Sequence, residues 1–365
     1  MPDEPAEGIP LGVKDLFDTA GLVTTYGSAI FRDHVPARTA SAVRLLEESG
    51  YALVGKTNLH EFAYGITSEN EHFGDVVNPL DPSRIPGGSS GGSAAALVAG
   101  LCDAALGTDS AGSIRLPAAC CGCVGFKPTH GHVPIDGVFP LAPSFDTAGP
   151  MGRDLQACRQ MMERFETDAK VLESLEEVSV AIAWTERADP LVRERVEAAA
   201  GLFPRRRSID FPEPERFSPG FQREVAEVHR ELFAEHRELY GVSVGTKIER
   251  CLAVTDEEVE ASRAARKAYR ERSLEALGEA EVLLTPAMAF VAPPVGLGDL
   301  AIREDVIRFT RPFNSLGWPA LALPCGPAEH GLPASLQVVG RPGEDALVLA
   351  VGEAIEEALR PRPRG

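Results

Sequence analysis

Hydrophobic positions along the chain follow two rhythms. Short continuous apolar runs, such as Tyr51–Gly55 and Asp103–Gly107, have the length and composition of buried strands. Between them lie stretches with helical spacing. One helix is predicted from about Arg38 to Glu48, capped by Thr39 or Ser41 and stopped by Gly50; another, Ser93 to Ala99, follows a glycine-rich segment. From about 163 to 277 the chain turns charged and helical, with Val225, Val228, Leu232 and Leu239 spaced to line one face. After Glu281 the strand rhythm returns at Val282–Thr285 and Ser335–Val339. A last helix presents Leu347, Val351, Ile355 and Leu359.

This alternation predicts the α/β class: a single domain over 1–365 with a central mixed β-sheet covered by helices. Its parts are a core at about 8–154, a helical excursion at about 163–277 and a C-terminal return to the sheet at about 281–360. A chain of 365 residues can bury a core without disulfides or metal. The seven cysteines fit that view: the cluster Cys120, Cys121 and Cys123 lacks the second pair a structural zinc site needs, so they are read as buried free thiols. A net charge of −18 repels phosphate backbones and anionic membranes. No apolar run reaches the roughly 18 residues of a membrane span, and Met1–Gly8 has no apolar core. The expectation is a cytoplasmic protein without direct nucleic-acid or membrane partners.

Two loops of small residues carry the candidate chemistry. Pro86-Gly87-Gly88-Ser89-Ser90-Gly91-Gly92-Ser93 has almost no side-chain bulk and feeds a helix. A phosphate cradle is one use for such a loop, but the P-loop lysine and its spacing are missing, and no Gly-x-Gly-x-x-Gly follows a strand. In Gly107-Thr108-Asp109-Ser110-Ala111-Gly112-Ser113 a strand ends in small residues whose N–H groups are free to face a ligand, as an oxyanion hole requires. Ser113 is the candidate nucleophile, although serine in a glycine-rich turn is often only structural. None of the eight histidines stands in a nucleophile-elbow context; His60, His72, His130 and His132 are assigned to the scaffold. The candidate base is Lys14, at the end of the apolar run Ile9–Val13, where burial would lower its pKa toward neutrality.

Together these segments resemble the amidase-signature family. Gly8-Ile9-Pro10-Leu11-Gly12-Val13-Lys14-Asp15 carries the lysine, 75 residues before Ser89 of Gly-Gly-Ser-Ser-Gly-Gly; Ser89 stands 24 before Ser113. The resemblance returns at Leu323-Pro324-Cys325-Gly326 and from Gly331 to Gly340. It implies an amidase that forms an acyl-enzyme on Ser113, with Ser89, after a cis Gly88–Ser89 peptide, relaying the proton to Lys14. It further implies oxyanion donors among the N–H groups of Ser110, Ala111, Gly112 and Ser113, bracing of the loop by an Asp109–Arg115 ion pair, and no cofactor or metal. Ala111 stands where glycine is common in the family. Family members also carry several dozen helical residues before the lysine segment; the expectation is either that a partner or a second copy covers the apolar sheet surface their absence would expose, or that the native start lies further upstream.

Substrate choice is less constrained. In the amidotransferase branch of the family, an aspartate five residues before the proline of the late Pro-x-Asn segment holds glutamine's amino group. Here Pro312-Phe313-Asn314 places Ile307 there, with Asp305 nearby. Isoleucine cannot pair with an ammonium, which favours a neutral or less polar small-molecule amide. Tyr64 is a pocket-wall residue by family position, or a core tyrosine bonded through its hydroxyl. Three functions are carried forward: a free-standing amidase, the glutaminase component of a tRNA-dependent amidotransferase, and a catalytically silent scaffold.

Overall fold

The computed structural model describes residues 8–165, 167–215 and 217–360. Among these, ten strands form one mixed sheet: β1 (Ile9–Lys14), β2 (Tyr51–Thr57), β3 (Ala104–Asp109), β4 (Val124–Lys127), β5 (Thr147–Gly152), β6 (Val180–Ile182), β7 (Arg206–Ser208), β8 (Val282–Pro286), β9 (Ala320–Pro327) and β10 (Pro333–Val339). Their order is β2-β1-β3-β5-β4-β9-β10-β8-β6-β7. Strand β1 runs parallel to β2 and β3, and β5 is antiparallel to β3 and β4. The antiparallel β4–β9 pair joins the first part of the chain to the last, as the returning strand rhythm predicts.

The central strands read as continuous apolar runs because helices cover both faces of the sheet there. Ala104 and Leu106 pack with the helices Ser41–Glu47, Leu155–Glu163, Pro190–Ala200 and Asp345–Leu359. Ala105 faces the other way, toward Gly91–Val98 and Arg115–Cys121. This is the alternation a strand imposes, and it puts the two small-residue loops and the end of β1 at the same part of the sheet.

Some elements differ from expectation. The first helix spans Ser41–Glu47, and its N-cap is Ala40, without a side-chain cap. Thr39 accepts from the Ala20 amide instead, at 3.1 Å. The middle stretch is not wholly helical: β6 and β7 extend the sheet to its far edge. Each has three residues and β7 is exposed throughout, so no apolar run announces it. Helix Phe217–His236 buries Phe221, Val225, Ala226, His229 and Phe233. Val228 and Leu232 lie at its shoulder, and Leu239 falls beyond its end, in a 3-10 turn. All seven cysteines are buried and free. No helix among the described residues is long and apolar enough to cross a membrane.

Candidate active site

The last residue of β1 is Lys14, which the pairing with β2 and β3 fixes inside the sheet. Its side chain is fully buried. Burial lowers its pKa to about 7, against the opposing pull of Asp109 and Asp146. The amine is 2.7 Å from Ser89 Oγ, 2.9 Å from Ser90 Oγ and 2.7 Å from Thr108 Oγ1. A neutral amine has two N–H groups and one lone pair, so it can donate to only two of the three. Ser90 must be an acceptor, because its own proton is engaged with the Thr108 carbonyl at 3.1 Å. If Thr108 also accepts, the lone pair is left for the Ser89 hydroxyl.

The glycine-rich loop brings Ser89 to the amine because backbone runs against backbone there. A Cβ on Gly92 would sit 2.2 Å from the Asn58 carbonyl oxygen. The Gly88–Ser89 peptide is cis, as the family resemblance implies. Ser90 N–H donates to the Ser113 carbonyl at 3.1 Å, which ties the two loops together. Among the described residues, no hydrogen bond joins the Ser113 hydroxyl to Ser89. The second link of the expected relay is therefore not made in this structure.

The second loop is held by a buried ionic network. Arg115 grips Asp109 through Nε (3.0 Å) and Nη2 (2.9 Å), and neither side chain is exposed. Burial would raise the Asp109 carboxyl, but the guanidinium more than offsets this and holds it at about 2. Arg115 also donates to Gln337 Oε1, Asn314 Oδ1 and the Thr310 carbonyl, which anchors the loop to the C-terminal part of the chain. Asp109 accepts from the Gly112 amide at 2.7 Å. The expected set of oxyanion donors is thereby corrected: the Gly112 N–H is taken. The N–H groups of Ser110, Ala111 and Ser113 have no internal acceptor among the described residues. Gly112 itself is required, because its φ is +131° and a Cβ there would meet Thr310 Oγ1 at 2.2 Å. Ala111 has no positive φ, so its methyl replaces glycine without that strain.

Next to this loop lies a cavity of about 160 Å³ lined by Tyr64, Ala111, Phe217, Phe221, Leu300 and Ile307, with cationic side chains among them. Tyr64 lines the cavity, and its hydroxyl meets Cys251 Sγ at 3.2 Å. Ile307 is in the wall, whereas Asp305 is exposed and outside it.

His60 is buried, and burial lowers its pKa to about 3. His72 pairs with Glu61, His130 meets the Pro143 carbonyl and His132 lies near Asp345, all consistent with scaffold roles. Sequence reasoning missed Ser90, Thr108, Asp146, Thr310 and Gln337. Asp146 accepts from Ser110 Oγ at 2.6 Å and from the Leu141 and Ala142 amides. Gln337 had a signal: it is a lone amide inside an apolar strand run.

Comparison with known proteins shows the family. The family model described as Amidase matches residues 1–190 and 166–349. The A-subunit of glutamyl-tRNA(Gln) amidotransferase from Myxococcus xanthus is 34% identical over 97% of this chain and 84% of its own length. The crystal structure of an amidase superposes with a TM-score of 0.89 at 38% identity, covering 96% of this chain and 85% of that one. The glutamyl-tRNA(Gln) amidotransferase A-subunit of Thermotoga maritima superposes with a TM-score of 0.81 at 29% identity, covering 97% and 84%. The chain belongs to the Amidase family, the amidase-signature proteins, and family and relatives together support an amide-hydrolysing enzyme.

Proposed function

We propose that this chain hydrolyses a linear carboxylic amide to the acid and ammonia or an amine, through an acyl-enzyme on Ser113. The observation that carries the reading is a buried amine with a pKa near 7, 2.7 Å from a serine hydroxyl on the loop tied to Ser113. Ser113 Oγ bonds to the carbonyl carbon while its proton passes to Ser89 and that of Ser89 to Lys14. The N–H groups of Ser110, Ala111 and Ser113 meet the negative oxygen. As the C–N bond breaks, Lys14 returns the proton through Ser89 to the leaving nitrogen. Water then attacks the ester with the same base and releases the acid.

A fluorophosphonate probe tests this. Ser113 should be labelled, and Ser113→Ala should abolish both labelling and ammonia release. Lys14→Ala should lower turnover by about 10²–10⁴-fold, the usual worth of a general base, with the fold intact by circular dichroism. Near-normal turnover in Lys14→Ala removes the proposed base. A labelled site is also incompatible with a silent scaffold.

A second reading fits about as well: a glutaminase component that supplies ammonia to a tRNA-dependent amidotransferase. The names of the relatives favour it. Strict dependence on glutamine and co-purification with partner proteins support this reading; ammonia release from simple amides by the purified chain supports the first.

A further inference from the structure

The cavity beside the nucleophile loop is cationic, in a chain whose net charge is −18. Four cations line it: Lys247, Arg250, Arg303 and Arg311. Two are neutralised within the protein, Lys247 by Asp299 at 2.5 Å and Arg311 by Glu304 at 2.5 Å. Arg250 and Arg303 have no ion pair among the described residues. Arg303 lies with its guanidinium carbon 5.2 Å from the centre of the Tyr64 ring, and its Nη1 is buried without a hydrogen-bond acceptor. A buried guanidinium N–H without a partner is costly. Lys247 crowds the same ring, its Nζ 5.0 Å from the centroid, so two cations lie against one aromatic ring. Glu304, also in this wall, is held by Arg311, and Asp299 acts on Arg303 through its charge without an ion pair to it.

We infer that the substrate is an amide whose acyl part carries a carboxylate, a monoamide of an aliphatic dicarboxylic acid, with Arg303 as the residue that binds the carboxylate. The inference rests on the amidase reading above and names its substrate class. A carboxylate supplies the acceptor that Arg303 Nη1 lacks, in the paired geometry that guanidinium and carboxylate favour. Phe217, Phe221, Leu300 and Ile307 offer an apolar wall for the methylenes between the two ends. Ile307 offers an α-ammonium no partner, and the carboxylate in the wall, Glu304, is already held by Arg311, so the preferred acid lacks the amino group of glutamine. This revises the expectation of a less polar substrate: Ile307 argues against an ammonium, and the unpaired guanidiniums argue for an anion.

The experiment compares three amides on the purified chain: glutaramate, its neutral counterpart pentanamide, and glutamine. Ammonia release is followed, with fluorophosphonate labelling of Ser113 measured in parallel. The expected order is glutaramate first, with kcat/KM about 100-fold above pentanamide, the size of a charge-assisted pair. In Arg303→Met the ratio of glutaramate to pentanamide should collapse toward one, through a rise in KM for glutaramate. Arg303→Lys should restore part of it, which a merely structural arginine would not do. Glutaramate no better than pentanamide, or a ratio unchanged in Arg303→Met, overturns the inference while the amidase reading stands on the labelled serine. Failure of the probe to label Ser113, with no amide turned over, removes the amidase reading itself.

Discussion

Ser90 accepts from the Lys14 amine at 2.9 Å while its own hydroxyl proton is committed to the Thr108 carbonyl at 3.1 Å. Ser90 can therefore accept a hydrogen bond from the lysine but has none to donate to it. That asymmetry helps turn the lone pair of the neutral amine toward Ser89. Ser90→Ala removes the acceptor and lets the amine rotate. Loss of aim at a general base is expected to lower kcat by about 10–100-fold, with little change in KM because Ser90 does not line the substrate cavity. A change confined to KM would contradict this orienting role.

Lys14 is a base only when neutral. With its pKa lowered to about 7 by burial, activity should fall as pH drops below about 7 and level off above it. Asp146 favours the protonated lysine, so Asp146→Asn is expected to move the midpoint of the acid limb to lower pH. Lys127 is a second buried lysine lowered to about 7, bonded to the Pro128 carbonyl. Lys127→Met should leave the midpoint where it was. A midpoint that follows Lys127 would mean the acid limb does not report Lys14.

The Asp109–Arg115 pair is fully buried and bidentate. Arg115→Met leaves the carboxylate uncompensated and is expected to cost about 3–5 kcal/mol of stability, measured by chemical denaturation. Arg115→Met combined with Asp109→Asn should recover part of the loss, since no buried charge then remains. The sign with pH also follows. Asp109 is held at about 2, below its ordinary value of 3.8. Its contribution is present above that ordinary value and is lost as pH falls toward about 2. A cost under about 1 kcal/mol for Arg115→Met would mean that solvent reaches the pair.

The parts of this site that were legible in the sequence are those whose residue types are unusual for their setting. A lysine closing the apolar run Ile9–Val13 and serines embedded in glycine stand out by themselves, and their spacing matched a family. The rest depends on contacts between distant segments. Arg115 reaches Thr310, Asn314 and Gln337 across more than 190 positions, and nothing local to any of them marks the meeting. The loss of Gly112 as an oxyanion donor is likewise a matter of where the Asp109 carboxylate points, and composition cannot report that. Strands β6 and β7 escaped for a related reason: pairing at a sheet edge, rather than a long apolar run, defines them.

Ile307 occupies the cavity wall one helical turn from Arg303, on the same face of helix Asp299–Ile307. Ile307→Asp would bring a carboxylate within reach of both the substrate's α-position and the Arg303 guanidinium. Two effects then act in one direction. The new charge can pair with the ammonium of glutamine, and by partly neutralising Arg303 it weakens the hold on a lone carboxylate. The ratio of kcat/KM for glutamine over glutaramate is expected to rise by at least about tenfold, or about 1.4 kcal/mol, read from ammonia release at fixed pH. A ratio that stays put in a folded variant would show that position 307 does not face the substrate's α-carbon. The preference against the ammonium would then have to come from the cations Arg250 and Arg303 alone, through repulsion instead of a missing partner.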